Sequence, residues 1–158
     1  MLANFHFSLK IEMIEIFTDG SALSNSKNAF AGWACYFVDL KLLRSGSLRS
    51  TNNYAELWAI HYALYRLEKV IKPIDETIVI KTDSLYSIKV VTGINKAKVN
   101  LELIKSIQIR IKRLSVTGNR IEFKHVNAHT NGDDHDSVYN DIVDKEARRQ
   151  AEELKSKS

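Results

Sequence analysis

The sequence predicts an α/β domain with a mixed five-stranded sheet, three antiparallel strands plus two parallel, flanked by helices in the order β-β-β-α-β-α-α-β-α. Three observations predict it. Short β-branched and aromatic runs open the chain, separated by so few residues that antiparallel pairing is the natural connection. Helical repeats of apolar residues then alternate with further short strands, and a helical crossover makes the strands it joins parallel. The 158 residues, 44% hydrophobic and 27% charged, suffice for one core without a disulfide or structural metal.

Ile14-Glu-Ile-Phe-Thr18 is the first strand, expected to end at the turn signal Asp19-Gly20-Ser21. Phe30 to Asp39 and Leu42 to Leu48 complete a three-stranded meander. After the capping sequence Thr51-Asn52-Asn53, apolar residues at Leu57, Ile60, Ala63, Leu64 and Leu67 predict a helix over about Asn53 to Val70. Thr77 to Thr82 is a fourth strand whose apolar run suggests burial on both faces, and Asp83-Ser84 starts a helix to about Val91. Leu101, Ile104, Ile107, Ile111 and Leu114 give a third helix, stopped by Gly118-Asn119, and Arg120 to Val126 alternates as the fifth strand. A last helix is predicted from about Val138 to Leu154.

Six glycines, one proline and no internal repeat leave little room for a linker. One domain is expected over 13–155, with an N-terminal extension over 1–12, a C-terminal tail over 156–158, and Met13 as an alternative start. The longest charge-free stretch, Asn28 to Val38, falls well short of the ~20 residues a bilayer requires. No membrane association is expected. Cys35 is the single cysteine, so neither an intramolecular disulfide nor a cysteine zinc cluster can form, and Met1 to Glu12 lacks secretory-signal character. An intracellular monomer, cytoplasmic or nuclear, is the resulting expectation.

The formal charge is +4, but Tyr86 to Arg113 holds seven basic residues against one acid, so the rest of the chain is slightly acidic. Such a segment suits a polyanion, whose counterions Lys and Arg displace; a solvated basic helix face is the alternative. Three carboxylates sit where strands end or helices begin: Asp19 after the first strand, Glu56 in the first turn of the first long helix, and Asp83 after the fourth strand. Asp144 lies early in the last helix. Each alone fits a turn or an exposed helix position. Together they occupy strand ends, where ligands of open α/β sheets collect. Converged carboxylates repel unless cations sit among them, and oxygen ligands suit Mg²⁺ or Mn²⁺. A two-metal phosphoryl-transfer site follows, with ions about 3.5–4 Å apart serving the attacking water and the leaving oxygen.

Thr18-Asp19-Gly20-Ser21, Thr51-Asn52-Asn53-Tyr54-Ala55-Glu56-Leu57, Thr82-Asp83-Ser84, then His129 with Asn140 and Asp144, closely resemble the successive motifs of type 1 ribonuclease H over about Ile14 to Ala151. The resemblance implies the ribonuclease H-like fold and hydrolysis of the RNA strand of an RNA/DNA hybrid with Mg²⁺ or Mn²⁺, leaving 5′-phosphate and 3′-hydroxyl ends. It implies two ions per site with substrate bound, ligated by Asp19, Glu56, Asp83 and Asp144, and a loop histidine, His129, assisting proton transfer or product release. Asn25, Asn52 and Asn53 match minor-groove contacts, Thr51 a phosphate contact, and Asn140 lies in the last motif, counted with the substrate contacts. Amide side chains suit this task because they donate and accept, and so can read base edges and 2′-hydroxyls.

The chain departs from the pattern in four places. The loop Ala22 to Ala31 has few glycines and no proline. The segment from Asp83 to Asn100 is too short for the basic handle of some bacterial relatives, so Lys96 and Lys98 become candidate substrate contacts. No separate hybrid-binding domain of the eukaryotic kind is expected before Met13. The stretch from His129 to Asp144 is long and contains Asp133, Asp134, His135 and Asp136, read as solvating a mobile loop, with perturbation of metal entry as the alternative. Asp141 is the weaker alternative to Asp144, and His61 and His125 are assigned structural or surface roles. Two other classes compete with the nuclease reading: a catalytically idle hybrid-binding module, and a transposase- or resolvase-type DNA nuclease on the same fold.

Overall fold

A computed structural model describes residues 13–128 and 132–158. In order they form β1 (Met13–Ala22), β2 (Phe30–Phe37), β3 (Leu42–Arg49), α1 (Asn52–Arg66), β4 (Thr77–Thr82), α2 (Leu85–Val91), α3 (Leu101–Val116), β5 (Arg120–His125) and α4 (His135–Ser156). The sheet order is β3-β2-β1-β4-β5. β2 runs antiparallel to β1 and β3, while β4 is parallel to β1 and β5. This is the mixed, helix-flanked sheet that the sequence predicts. Among the described residues no helix is long and apolar enough to cross a membrane.

Strand alternation divides the interior. Ile14 and Ile16 of β1 and Ile78 and Ile80 of β4 enter the larger core, with Leu57, Ile60 and Leu64 of α1 and Ile104 and Ile107 of α3. Phe17, on the opposite face of β1, joins Ala34, Val126, Val143 and Ala147 beneath α4. Each large apolar side chain buried in this way contributes ~1.5–3 kcal/mol. Cys35 is fully buried, and burial pushes its thiol up to about 12, so it acts as a small apolar core residue.

Helix α1 starts at a cap formed by Thr51, whose Oγ1 accepts from the Tyr54 backbone N–H at 3.1 Å. It continues through one π-helical turn, Leu67–Ile71, and closes at Lys72, which is left-handed at φ 51°. Three boundaries differ from the sequence reading. β1 does not end at Asp19: the Asp19-Gly20-Ser21 sequence stays in the strand because each of its residues pairs with β2. Glycine is required at 20 for a different reason than a turn, since a Cβ there would lie 2.3 Å from the Ala55 carbonyl carbon and the Glu56 nitrogen. Glu56 falls in the second turn of α1, because the helix already begins at Asn52.

The third difference is α4, which begins at His135, before Val138, because Asp134 accepts from the Ser137 backbone N–H at 3.2 Å and caps it. Asp144 is therefore well inside the helix, and the acidic stretch before it is helix start as much as solvated loop. α4 lies close against the sheet through Val143, Ala147 and Ala151, spaced one turn apart. Gly32 of β2 permits that approach, as a Cβ there would sit 1.9 Å from the Ala147 carbonyl oxygen.

Candidate active site

At the end of the sheet where β1 and β4 emerge side by side, carboxylate oxygens of Asp19, Glu56 and Asp83 all lie within 4.8 Å of one another. Asp19 comes from β1, Glu56 from the helix that crosses Gly20, and Asp83 from the residue after β4. Asp144 of α4 lines the same cleft. The structure thus brings together the four acids singled out in the sequence.

Asp19 and Glu56 are 3% and 5% exposed; Asp83 and Asp144 are half-buried. Asp19 Oδ1 accepts from the Gly20 N–H at 2.9 Å, whereas Glu56 Oε2 is buried without a hydrogen-bond partner. Burial pushes the Asp19 carboxyl well above the ordinary range, and the charges of Asp83 and Asp144 add to this against its hydrogen bonds with Glu56 and Gly20. Burial raises Glu56 likewise, followed by the charge and hydrogen bond of Asp19. A buried carboxylate with an unpartnered oxygen beside two further carboxylates fits a hard divalent cation. The residues present therefore suit Mg²⁺ or Mn²⁺.

Asn52 sits on the rim of the cleft, its Oδ1 accepting from the Ala22 N–H at 3.0 Å and tying the end of β1 to the start of α1. Thr51 is the cap of α1, and Asn53 and Asn25 are exposed. Lys96 and Lys98 are exposed on the connection between α2 and α3. Asn140 is 3% exposed, one turn before Asp144, with its Oδ1 unpartnered. His129 lies outside the described residues; Ala128, which precedes it, lines the cleft. His125 Nε2 hydrogen-bonds with the Asp83 carbonyl oxygen at 3.2 Å. His61 receives the Arg110 Nε–H at 3.2 Å, and burial followed by that cation pushes the imidazole down.

Two arginines were missed by sequence reasoning. Arg148 lines the acidic cleft, one helical turn beyond Asp144, and that spacing was the available signal. Arg49 lines a separate groove with Tyr54 and Trp58. Its guanidinium stacks over Phe30 at 3.9 Å and its Nε donates to the Asn28 carbonyl at 2.8 Å. An arginine two residues before a helix cap carried no such signal.

The family model described as RNase H matches residues 12–152. Among solved structures, LC11-RNase H1, isolated from compost by a metagenomic approach, superposes with a TM-score of 0.73 at 22% identity, covering 91% of this chain and 99% of that one. The same protein in complex with an RNA/DNA hybrid gives a TM-score of 0.68 at 22% identity, with 89% and 98% covered. RNase H1 from the halophilic archaeon Halobacterium salinarum NRC-1 gives 0.61 at 22% identity, again with 89% and 98% covered. No curated protein matches the chain.

Proposed function

Because this chain belongs to the RNase H family, we propose that it is an endonuclease that hydrolyses the RNA strand of RNA/DNA hybrids, dependent on two divalent cations. The observation that carries this reading is the convergence of Asp19, Glu56 and Asp83 within 4.8 Å on a cleft that Asp144 also lines. A neighbouring fold caught with an RNA/DNA hybrid supports the substrate class.

Asp19, Glu56, Asp83 and Asp144 would hold the ions, which when bound supply charge neutralisation at the phosphate and lower the pKa of water. The carboxylates themselves fix where the scissile phosphate can sit, since their repulsion excludes an anion until cations are present. Water oxygen then bonds to phosphorus in line as the bond to the 3′ oxygen breaks, leaving 5′-phosphate and 3′-hydroxyl ends. His129 carries a proton to or from the reacting oxygens. Arg148 offers a guanidinium to the phosphate from the wall of the cleft.

Around the cleft, existing hydrogen bonds decide what each side chain has left to give. Asn52 has committed its carbonyl to Ala22, so its amide N–H groups face substrate acceptors such as the 2′-hydroxyl. Thr51 accepts from Tyr54, which leaves its hydroxyl proton for a phosphate oxygen. Asn25 and Asn53 present free amides, Lys96 and Lys98 neutralise phosphates, and Arg49 extends the contact along a separate groove.

The test is cleavage of end-labelled RNA/DNA hybrid, single-stranded RNA, duplex RNA and duplex DNA in Mg²⁺, Mn²⁺ or EDTA, by wild type and Asp83→Asn. The expected result is metal-dependent cutting confined to the RNA strand of the hybrid, lost by at least about a hundredfold in the variant. Binding without cutting would mean an idle module. Cutting of duplex DNA would mean a different nuclease on this fold.

A further inference from the structure

A second group of potential metal ligands, Glu15, His135 and Asp136, lies away from the cleft, yet its centre is taken by a side chain. Lys81 Nζ lies 2.7 Å from Glu15 Oε2 and 2.6 Å from Asp136 Oδ1, and His135 Nε2 hydrogen-bonds with Glu15 Oε1. Lys81 and Glu15 are 12% and 7% exposed at the side chain. The His135 ring meets Tyr139 edge-on at 4.8 Å and lies 6.0 Å from Phe17. A charge pair from β1 and β4 thus holds two consecutive residues in the first turn of α4, both from the long acidic stretch before Asp144.

Placement gives this contact its reach. By alternation Glu15 shares a sheet face with Asp19, about 13 Å behind it along β1, and Lys81 is the last residue but one of β4, two residues before Asp83. The connection from β5 to α4 is anchored at each of its ends. Its front end is held by the Val126 N–H donating to the Thr82 carbonyl at 3.0 Å and by His125 on the Asp83 carbonyl. Its rear end is held by Lys81 and Glu15. Ala128, on the wall of the acidic cleft, lies between them.

We propose that Glu15, Lys81, His135 and Asp136 form a latch that fixes where α4 begins on the sheet and thereby sets the end point of the β5–α4 connection, whose Ala128 lines the acidic cleft. These are positioning residues for hydrolysis, and the cation of this group is the Lys81 ammonium. The positioning role rests on the nuclease reading above; the latch itself does not.

The experiment uses the full chain with His135→Ala and Asp136→Asn, singly and together, since both side chains are partly exposed and their loss leaves the two cores intact. Amide hydrogen exchange, which needs no activity, is expected to speed up about tenfold or more over residues 135–140 in the double variant, with 143–151 unchanged. Cleavage of the hybrid is expected to lose about tenfold in kcat with KM within about twofold. Combining Asp136→Asn with His129→Ala is expected to slow the reaction little beyond His129→Ala alone, because both act through the same connection. Unchanged exchange at the start of α4 would overturn the latch. Faster exchange with unchanged kcat would overturn the positioning role and leave a purely structural clasp. Faster exchange in the variants alongside a wild type that cuts no hybrid would refute the nuclease reading while the latch stood.

Discussion

Asp19 and Glu56 are buried carboxylates facing each other and Asp83, so ionising any one raises the cost of ionising the next. Their folded-state pKa values lie above the unfolded ones. The metal-free protein therefore binds more protons folded than unfolded, and it loses stability as pH rises from the ordinary carboxylate range through the raised values. Asp19→Asn removes one of the charges. Each pKa unit is worth ~1.4 kcal/mol, and a domain of this size gains ~2–4 °C per kcal/mol. Metal-free Asp19→Asn is thus expected to melt several degrees above wild type at pH 8, with a smaller gain at pH 5, and to lose most of the stabilisation that Mg²⁺ gives wild type. Equal melting at both pH values would show that the acids do not repel in the folded state. Four acids were legible in the sequence because each falls within a motif; Arg148 belongs to none of those motifs, and only its spacing of one turn from Asp144 pointed to it.

Among the elements, α4 depends most on its partner's lack of a side chain. Gly32 puts the Ala147 carbonyl where a Cβ would stand, so Gly32→Val must push α4 off β2. Overpacking of this kind costs ~1–3 kcal/mol. The expected result is a Tm lowered by several degrees, with weaker activity at temperatures where the variant remains folded, because Asp144 and Arg148 ride on the same helix. Wild-type stability would mean that α4 tolerates displacement. Strands and helices were readable from apolar spacing, whereas the boundaries failed where tertiary contacts overrule local signals. Asp19-Gly20-Ser21 has the composition of a turn, but pairing with β2 and the crossing of α1 keep it extended. The start of α4 was missed because its apolar repeat begins later than its cap, and because His135 and Asp136 find partners on strands far away in sequence.

For the molecule as a whole, grip on the proposed hybrid substrate would come from dispersed cations, since the connection between α2 and α3 is short and carries Lys96 and Lys98 exposed. Replacing both by alanine is expected to raise KM with little change in kcat, and to reduce the slope of log affinity against log salt by about 1–2. An unchanged slope would place those lysines away from the phosphates. The surplus of basic residues was visible in the sequence; which of them are free of ion pairs was not, as Arg110 and Arg113 are held by Glu68 at 2.6 and 3.3 Å. The strand order β3-β2-β1-β4-β5 also has a thermal meaning. Asp19 and Asp83 issue from β1 and β4, inner strands paired on both sides, which come apart only when the whole sheet does. Heating is therefore expected to part Asp19 from Asp83 only as the entire sheet melts, with no cooler stage at which these two acids separate while the sheet persists.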